Sequence, residues 1–165
     1  MKTFSIVTLT LLILVACNSE KPTAKKTMVV SDSAKTVSFS PPVLQDSYYR
    51  DVFEYQQEIT VNPESRQKKE QYLKNAYFPD NKTLLSFGSA RKTHPETKQP
   101  VAYALQKRAA LLDAKRWASY GMSWIENDYK PDFGKITEIS AGETVQVFSF
   151  DKGDSLVIVL ANKVR

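Results

Sequence analysis

Few side chains in this 165-residue chain could do covalent chemistry, because the sequence contains one cysteine, Cys17, and one histidine, His94. His94 lies in a proline-flanked segment, so a Ser–His–Asp or Cys–His centre would depend on a single loop residue. The usual zinc sites draw three or four ligands mainly from cysteines and histidines, and this chain has one of each. We expect neither a metal site nor a bound cofactor.

Two pairs of carboxylates are the remaining candidates for acid–base chemistry or cation binding, namely Asp128 with Asp132 and Asp151 with Asp154. Each pair lies in a segment with loop or turn composition, where aspartate is common because its side chain bonds to nearby backbone. The sequence has no glycine-rich phosphate-binding loop. We therefore predict that the protein is not an enzyme.

The most specific chemical signal surrounds Cys17. Met1 and Lys2 form a short positive segment, and the run Phe4–Ala16 that follows is almost uniformly apolar. A helix that spans a bilayer needs about 20 apolar residues, so this shorter run is typical of a secretory signal peptide. We expect residues 1–16 to be removed on export.

The end of this run, Leu14-Val15-Ala16-Cys17, resembles the lipobox of bacterial lipoproteins. In that motif small residues admit the signal peptidase, cleavage falls between Ala16 and Cys17, and the cysteine thiol accepts diacylglycerol. The exported chain has no second cysteine to form a disulfide with this thiol. Each buried acyl methylene contributes roughly 0.8 kcal/mol, so acylated Cys17 would hold the protein on a lipid bilayer.

Two alternatives to lipidation are a plain signal peptide that ends near a cysteine and an uncleaved anchor. If Cys17 is acylated, the residue that follows it influences whether the protein stays in the inner membrane or moves to the outer membrane. Asn18 stands where, in enteric bacteria, an aspartate would favour retention in the inner membrane. We therefore predict a lipid-anchored protein of the bacterial cell envelope, in the outer membrane rather than the inner membrane.

The composition suits one globular domain with additional segments, since 42% of the residues are hydrophobic and 25% are charged. The formal net charge of +5 is spread along the chain, without a long run of like charges. Such spreading is typical of a solvated basic surface, so we expect no nucleic-acid partner.

We predict four segments along the chain. Residues 1–16 form the signal peptide, and residues 17–47 form a lipidated flexible tether, since this stretch is rich in Ser, Thr, Lys and Pro and has little apolar surface to bury. Residues 48–82 form an N-terminal extension with a short helix. Residues 83–165 form the main α+β domain.

Within the extension, Val52–Val61 combines β-branched and aromatic residues and predicts a strand. A helix should follow it, because Asn62 suits the N-cap position and Pro63 suits the first helical position. This helix should end around Tyr77, before Pro79.

The main domain should begin with the strand Thr83–Ala90, in which Gly88 permits the close approach of another backbone. The longest helical segment follows at Pro100–Tyr120, which has no glycine or proline after its first residue and is rich in Ala, Leu, Lys and Arg. Gly121 is expected to end this helix.

The apolar residues of the long helix occupy two sectors of its surface. One sector holds Val101, Leu105 and Leu112, with Ala102 and Ala109 beside them, and the other holds Tyr103, Ala110, Ala114 and Trp117. A helix that is apolar over more than one sector is usually covered on more than one side. The sheet of the domain would cover one sector, and either the tether or a second copy of the protein would cover the other.

The C-terminal part predicts strands at Ile136–Ile139, Thr144–Phe150 and Asp154–Ala161. The last two should form a hairpin, because Gly153 lies in the turn between them. The order strand, helix, strand, strand predicts an α+β fold with one long helix packed across a small antiparallel sheet.

These elements resemble the Lpp-twenty-like lipoproteins of bacterial outer membranes, and the N-terminal domain of the flagellar assembly protein T is similar. The resemblance rests on Phe87-Gly88-Ser89-Ala90, on Ala109–Ala118 and on the terminal hairpin, and it covers Thr83–Val164. It implies a dodecin-like fold, in which a small antiparallel sheet embraces a helix, and a surface or periplasmic antigen without an established catalytic activity.

Aromatic residues cluster between the long helix and the hairpin, and they are Trp117, Tyr120, Trp124, Tyr129 and Phe133. Core packing would explain this cluster, but it could also offer a surface to a flat ligand or to a partner protein. Two functions therefore remain open. The first is an envelope lipoprotein that self-associates or binds another envelope protein, and the second is a small-molecule binding module that uses the aromatic span.

Overall fold

The structure, a computed structural model, describes residues 39–136, 139 and 142–165. The predicted signal peptide, the lipobox with Ala16 and Cys17, and the tether before Phe39 lie outside the described residues. In the described ranges, no helix has the length and the apolar character needed to cross a membrane.

The described residues form three α-helices and one four-stranded antiparallel sheet. In chain order the elements are α1 (Asp46–Val61), α2 (Arg66–Ala76), β1 (Tyr77–Phe78), β2 (Thr83–Arg91), α3 (Tyr103–Glu126), β3 (Thr144–Lys152) and β4 (Ser155–Lys163). The predicted α+β class, with one long helix packed on a small antiparallel sheet, is confirmed. The dodecin-like arrangement stays a prediction.

The strands lie in the order β1-β2-β4-β3, so the C-terminal strand β4 is central and pairs with both β2 and β3. Its register with β2 runs from Thr83 opposite Lys163 to Arg91 opposite Ser155. β3 and β4 form the predicted hairpin. Gly153 in its turn has a φ of 55°, which glycine adopts without a steric penalty.

α3 crosses the sheet directly above Gly88 in β2. A Cβ atom built on Gly88 would lie 1.9 Å from the carbonyl oxygen of Ala110 and 2.2 Å from the backbone nitrogen of Ala114. Real Cβ atoms essentially never make contacts below 3.0 Å, so the helix backbone rests on the strand itself at this point. The predicted close approach at Gly88 is confirmed.

α1 covers the opposite face of the sheet. Side chains alternate across a strand, so Phe87 points away from the face that carries Gly88. The ring centroids of Phe87 and Phe53 are 6.0 Å apart, and the ring of Tyr49 stacks on Phe148 at 4.9 Å. The sheet therefore lies between α1 and α3, and α2 packs beside β2 and α3.

The predicted strand at Val52–Val61 is wrong, because these residues belong to α1. The buried residues of this helix recur at helical spacing, and they are Tyr49, Val52, Phe53, Gln56 and Ile59. β-branched and aromatic residues favour strands locally, but here the burial of one apolar stripe against the sheet decides the structure.

α2 begins at Arg66, later than the predicted start. Asn62 is the C-cap of α1 and is therefore not the N-cap of α2. Ser65 takes that role, and its hydroxyl accepts a hydrogen bond from the backbone N–H of Lys68 at 3.4 Å. The end of α2 at Ala76 is close to the predicted end.

The prediction that Gly121 ends the long helix is also wrong, because α3 continues to Glu126. A Cβ atom on Gly121 would lie 2.6 Å from Cδ2 of Leu84 in β2. This glycine therefore makes room for a side chain of the sheet beneath the helix.

The predicted segments also differ from the structure. The described residues belong to one compact unit, which continues across residues 82 and 83. Phe39 and Leu44 pack against its core and α1 begins at Asp46, so the tether does not extend to residue 47. Ile136 and Ile139, the ends of a predicted strand, are not in a strand, and residues 137 and 138 between them lie outside the description.

Candidate functional site

The aromatic residues that could form a ligand or partner surface belong largely to the core. Trp117, Tyr120 and Trp124 are 1%, 0% and 1% exposed. Their rings pack on one another and on Tyr72 of α2, with centroid distances between 5.7 and 6.4 Å. The fold leaves no face of these three rings open to a ligand, and core packing explains their clustering.

The loop after α3 packs on this aromatic core and forms hydrogen bonds with it. The ring of Phe133 stacks on Trp117 with centroids 4.0 Å apart. The indole N–H of Trp124 donates to the carbonyl oxygen of Pro131 at 2.6 Å, and the hydroxyl of Tyr120 accepts a hydrogen bond from the loop backbone at 2.7 Å. The chain's own loop therefore covers the aromatic side chains in the C-terminal half of α3.

A buried lysine in α2 also holds this loop. Lys69 is 1% exposed, and its Nζ donates to Oδ1 of Asp132 at 2.6 Å and to the carbonyl oxygen of Tyr129 at 3.1 Å. The hydrogen bond from Lys69 lowers the pKa of the Asp132 carboxyl. Lys69 is not among the predicted site residues, although it stands three and four residues before the buried Tyr72 and Leu73 and so shares their helix face.

The two predicted carboxylate pairs do not act as pairs, because each carboxylate has a partner of its own. The partners are Arg66 for Asp128, Lys69 for Asp132, Lys92 for Asp151 and the Thr93 hydroxyl for Asp154. These contacts join loops and turns to neighbouring elements. They are structural contacts and leave no carboxylate pair poised for acid–base chemistry.

His94 is exposed and takes part in a turn. Its Nδ1 accepts hydrogen bonds from the backbone N–H groups of Glu96 at 3.3 Å and Thr97 at 3.4 Å. Within residues 39–136, 139 and 142–165, no group of three or more His, Cys, Asp or Glu side chains is arranged to hold a metal ion.

Tyr129 borders an open groove of about 750 Å³ between α2 and the end of α3. The guanidinium of Arg66 lies over the Tyr129 ring, 4.7 Å from its centroid, and pairs with Glu70 at 2.9 Å and with Asp128 at 2.8 Å. Arg66, Glu70 and Asp128 of this groove thus pair with one another, and the covered face of the Tyr129 ring is not available for stacking.

The short strand β1 pairs only with Thr83 and Leu84 of β2, and the remaining edge of β2 is closed by side chains. Gln56 of α1, which is fully buried, donates to the carbonyl oxygen of Phe87 at 2.8 Å and accepts from its N–H at 3.0 Å. Two further contacts close the edge, from the Tyr72 hydroxyl to the Leu85 carbonyl (2.6 Å) and from the Ser89 N–H to Asp113 (3.0 Å). Burial raises the pKa of Tyr72, which stays a neutral donor.

The opposite edge of the sheet, formed by β3, is open. No described element pairs with β3 on the side away from β4. Thr144–Phe150 contains neither a charged residue nor a proline, and a bulge at Val147 is the only irregularity in its pairing with β4. Gln146 and Ser149 of this strand are exposed. β3 therefore presents unpaired backbone groups of the kind that accept a further strand.

The N-terminal half of α3 has a second uncovered surface, which we define as the α3 outer face and which comprises Leu105, Arg108, Ala109, Leu112 and Lys115. Leu105 and Leu112 are 60% and 50% exposed, and the other three residues are exposed too. The predicted second covering of the long helix is thus not provided by the described residues at Leu105 and Leu112.

Comparisons with protein families, with curated proteins and with solved structures gave no match for this chain. The resemblance to the Lpp-twenty-like lipoproteins therefore stays a prediction from the residues that carry it. The functional candidates are the two uncovered surfaces, the β3 edge and the α3 outer face.

Proposed function

We propose that this protein is a lipoprotein of the bacterial cell envelope, anchored through acylated Cys17, with the outer membrane as the favoured location. Its folded domain acts as a non-enzymatic protein-interaction module that self-associates. The lipobox-like sequence at Ala16-Cys17 supports the anchor. The observation that carries the interaction role is the open edge of β3.

The two edges of the sheet differ in a way that favours strand addition at β3. Side chains from all three helices bond to the backbone of β2, so a second chain cannot pair there. β3 has no such cover from described residues, and its outer backbone groups can bond to an added strand. Two antiparallel copies of β3 would form a symmetric interface in which the uncharged stretch Thr144–Phe150 creates no like-charge repulsion.

We expect a photo-activatable crosslinking residue placed at Ser149 to yield a product of twice the chain mass in intact cells. An added strand lies about 4.8 Å from its neighbour, well within the reach of such a residue. The product would be measured by denaturing electrophoresis, and mass spectrometry of the crosslinked peptides would test whether the second peptide comes from β3.

Two matched variants make this experiment specific. Gln146→Lys is expected to reduce the dimer product at least about fivefold, because a lysine on an edge strand opposes strand addition and the two copies repel each other. Val61→Lys adds the same charge at a site that is 77% exposed on α1 and should leave the yield unchanged. A product with a different envelope protein would contradict self-association, and no product at all would contradict the interaction role of β3.

The alternative function, small-molecule binding on the aromatic span, has weaker support. Trp117, Tyr120 and Trp124 are buried, and Arg66 covers one face of the remaining ring, Tyr129. The groove beside Tyr129 is open, and its charged residues Arg66, Glu70 and Asp128 are paired with one another. No observation on the described residues favours a ligand at this place over solvent.

A further inference from the structure

We infer that the α3 outer face lies on the anionic headgroups of the bilayer to which the chain is anchored. This inference rests on the proposed function, because the anchor at Cys17 is what keeps the domain beside a bilayer. It assigns a lipid partner to a surface that the sheet and the covering loop leave open.

The apolar part of this face is a short stripe on a helix that is otherwise well packed. Ala110 and Ala114, which meet the sheet, are fully buried, whereas Leu105 and Leu112 are 60% and 50% exposed. The two leucines are seven residues apart and lie on the same side of the helix, two turns from each other, with the exposed Ala109 between them. Their side chains can enter the interfacial region of a bilayer while the helix lies parallel to its surface.

The charges around the stripe are almost all positive. Arg108 and Lys115, which flank the stripe, make no ion pair with any described residue. The carboxylate in this part of α3, Asp113, is bound to the Ser89 N–H at 3.0 Å and to Arg116 at 3.1 Å. Basic residues beside an apolar helix stripe are the pattern that attracts anionic lipid.

The charges beside the stripe distinguish between two possible partners, a second copy of the chain and an anionic lipid surface. A second copy placed face to face on α3 would bring Arg108 and Lys115 of one chain against the same cations of the other, which disfavours that pairing. An anionic headgroup layer complements these cations. The proposed pairing through β3 is also compatible, because antiparallel strands are related by a two-fold axis perpendicular to the sheet, so both α3 outer faces would point the same way.

The segment between the anchor at Cys17 and the folded domain is long enough for the α3 outer face to reach the bilayer. The chain between Cys17 and Phe39 can reach at most about 75 Å when fully extended, and it can be much shorter when it is not. A face already held near the bilayer needs little affinity of its own, because the anchor gives it a high effective concentration of lipid.

The test uses the full chain, purified from membranes and reconstituted into vesicles. Cys17 is the only native cysteine, so if it is acylated, a thiol-reactive environment-sensitive dye labels a Leu112→Cys variant at position 112 alone. We expect the dye emission to shift to the blue and to rise at least about twofold in vesicles that contain phosphatidylglycerol, compared with phosphatidylcholine alone. Added salt should reverse the change, because salt screens the attraction.

Two matched controls accompany the labelled variant. Adding Arg108→Glu and Lys115→Glu to Leu112→Cys should return the emission to the phosphatidylcholine value. Val61→Cys carries the dye on α1, across the sheet from α3, and should report no difference between the vesicles.

The outcomes separate the inference from the proposed function. Equal emission at position 112 in both vesicles would overturn the inference. A rise in dye emission in phosphatidylcholine vesicles that grows with the number of chains per vesicle would also overturn it, because it would indicate that a second copy covers the face. A rise in dye emission only in native membranes would overturn it too, because it would indicate an acidic protein partner. Dye uptake by the unaltered chain would instead reveal a free Cys17 thiol and contradict the anchoring itself.

Discussion

Replacing Gly88 with alanine is expected to lower the free energy of unfolding by about 3 kcal/mol or more, a large part of the stability of an ordinary domain. The new methyl group would lie 1.9 Å from the Ala110 carbonyl oxygen and 2.2 Å from the Ala114 nitrogen. Both are backbone atoms, so the clash cannot be relieved by rotating a side chain. α3 would have to lift off β2, and the small buried alanines beneath it would lose their packing.

The effect of Gly88→Ala can be measured by urea unfolding followed through tryptophan fluorescence, since Trp117 and Trp124 are buried in the folded chain. Gly142→Ala is the matched control. A Cβ at Gly142 would have its nearest neighbours at 3.6 and 3.7 Å, which is ordinary contact, so we expect a change within about 0.5 kcal/mol. Equal stability of the two variants would mean that α3 does not rest on β2 as described.

Replacing Gln56 with alanine is expected to cost about 3 kcal/mol of unfolding free energy. This fully buried side chain bonds to both the N–H and the carbonyl group of Phe87. Alanine would leave both groups buried without a partner and would open the β2 edge. Gln57→Ala on the same helix is the control, because Gln57 is only partly buried and alanine is a good helix former. Urea unfolding of both variants provides the comparison.

Gln56→Glu extends this experiment with a pH dependence. The ionised carboxylate can accept the Phe87 N–H but cannot donate to the Phe87 carbonyl, and burial raises the pKa of such a carboxyl. An acid whose pKa is higher in the folded than in the unfolded state stabilises the fold as it becomes protonated. The stability deficit of Gln56→Glu relative to the native chain should therefore shrink as the pH falls from about 7 to about 5. A deficit that does not change with pH would contradict the description of the β2 edge.

The helix–sheet core could be predicted from the sequence because its signals are local. Gly88 stands inside an apolar strand pattern, and the alanines of the long helix are the small residues that such a close approach requires. The hairpin could be predicted from Gly153 between two apolar runs. In each case the deciding property belongs to a few neighbouring residues.

The elements that could not be predicted depend on distant contacts. α1 contains residues that favour a strand, and it becomes a helix because its apolar stripe packs on a sheet formed later in the chain. Gly121 looks like a helix end but accommodates Leu84, a residue of β2. No local sequence pattern within α1 or around Gly121 shows that these residues pack on the sheet.

The candidate site was predictable only in part. The two apolar sectors of the long helix indicated two covering surfaces, but not that Phe133 of the following loop stacks on Trp117, in the same sector as the alanines that meet the sheet. Lys69 stands in a charged run that is typical of a solvated helix face, and its burial depends on Asp132 more than sixty residues away. Which strand edge is closed depends on Gln56, a residue that the sequence pattern placed in a strand.

The intact mass of the protein extracted from bacterial membranes tests our proposal that the chain is a lipid-anchored envelope protein. We expect a chain that begins at Cys17 and carries a diacylglyceryl group on its sulfur, and a Cys17→Ala variant that lacks this modification. A chain that retains residues 1–16, or one that begins at Cys17 with an unmodified thiol, would contradict the claim.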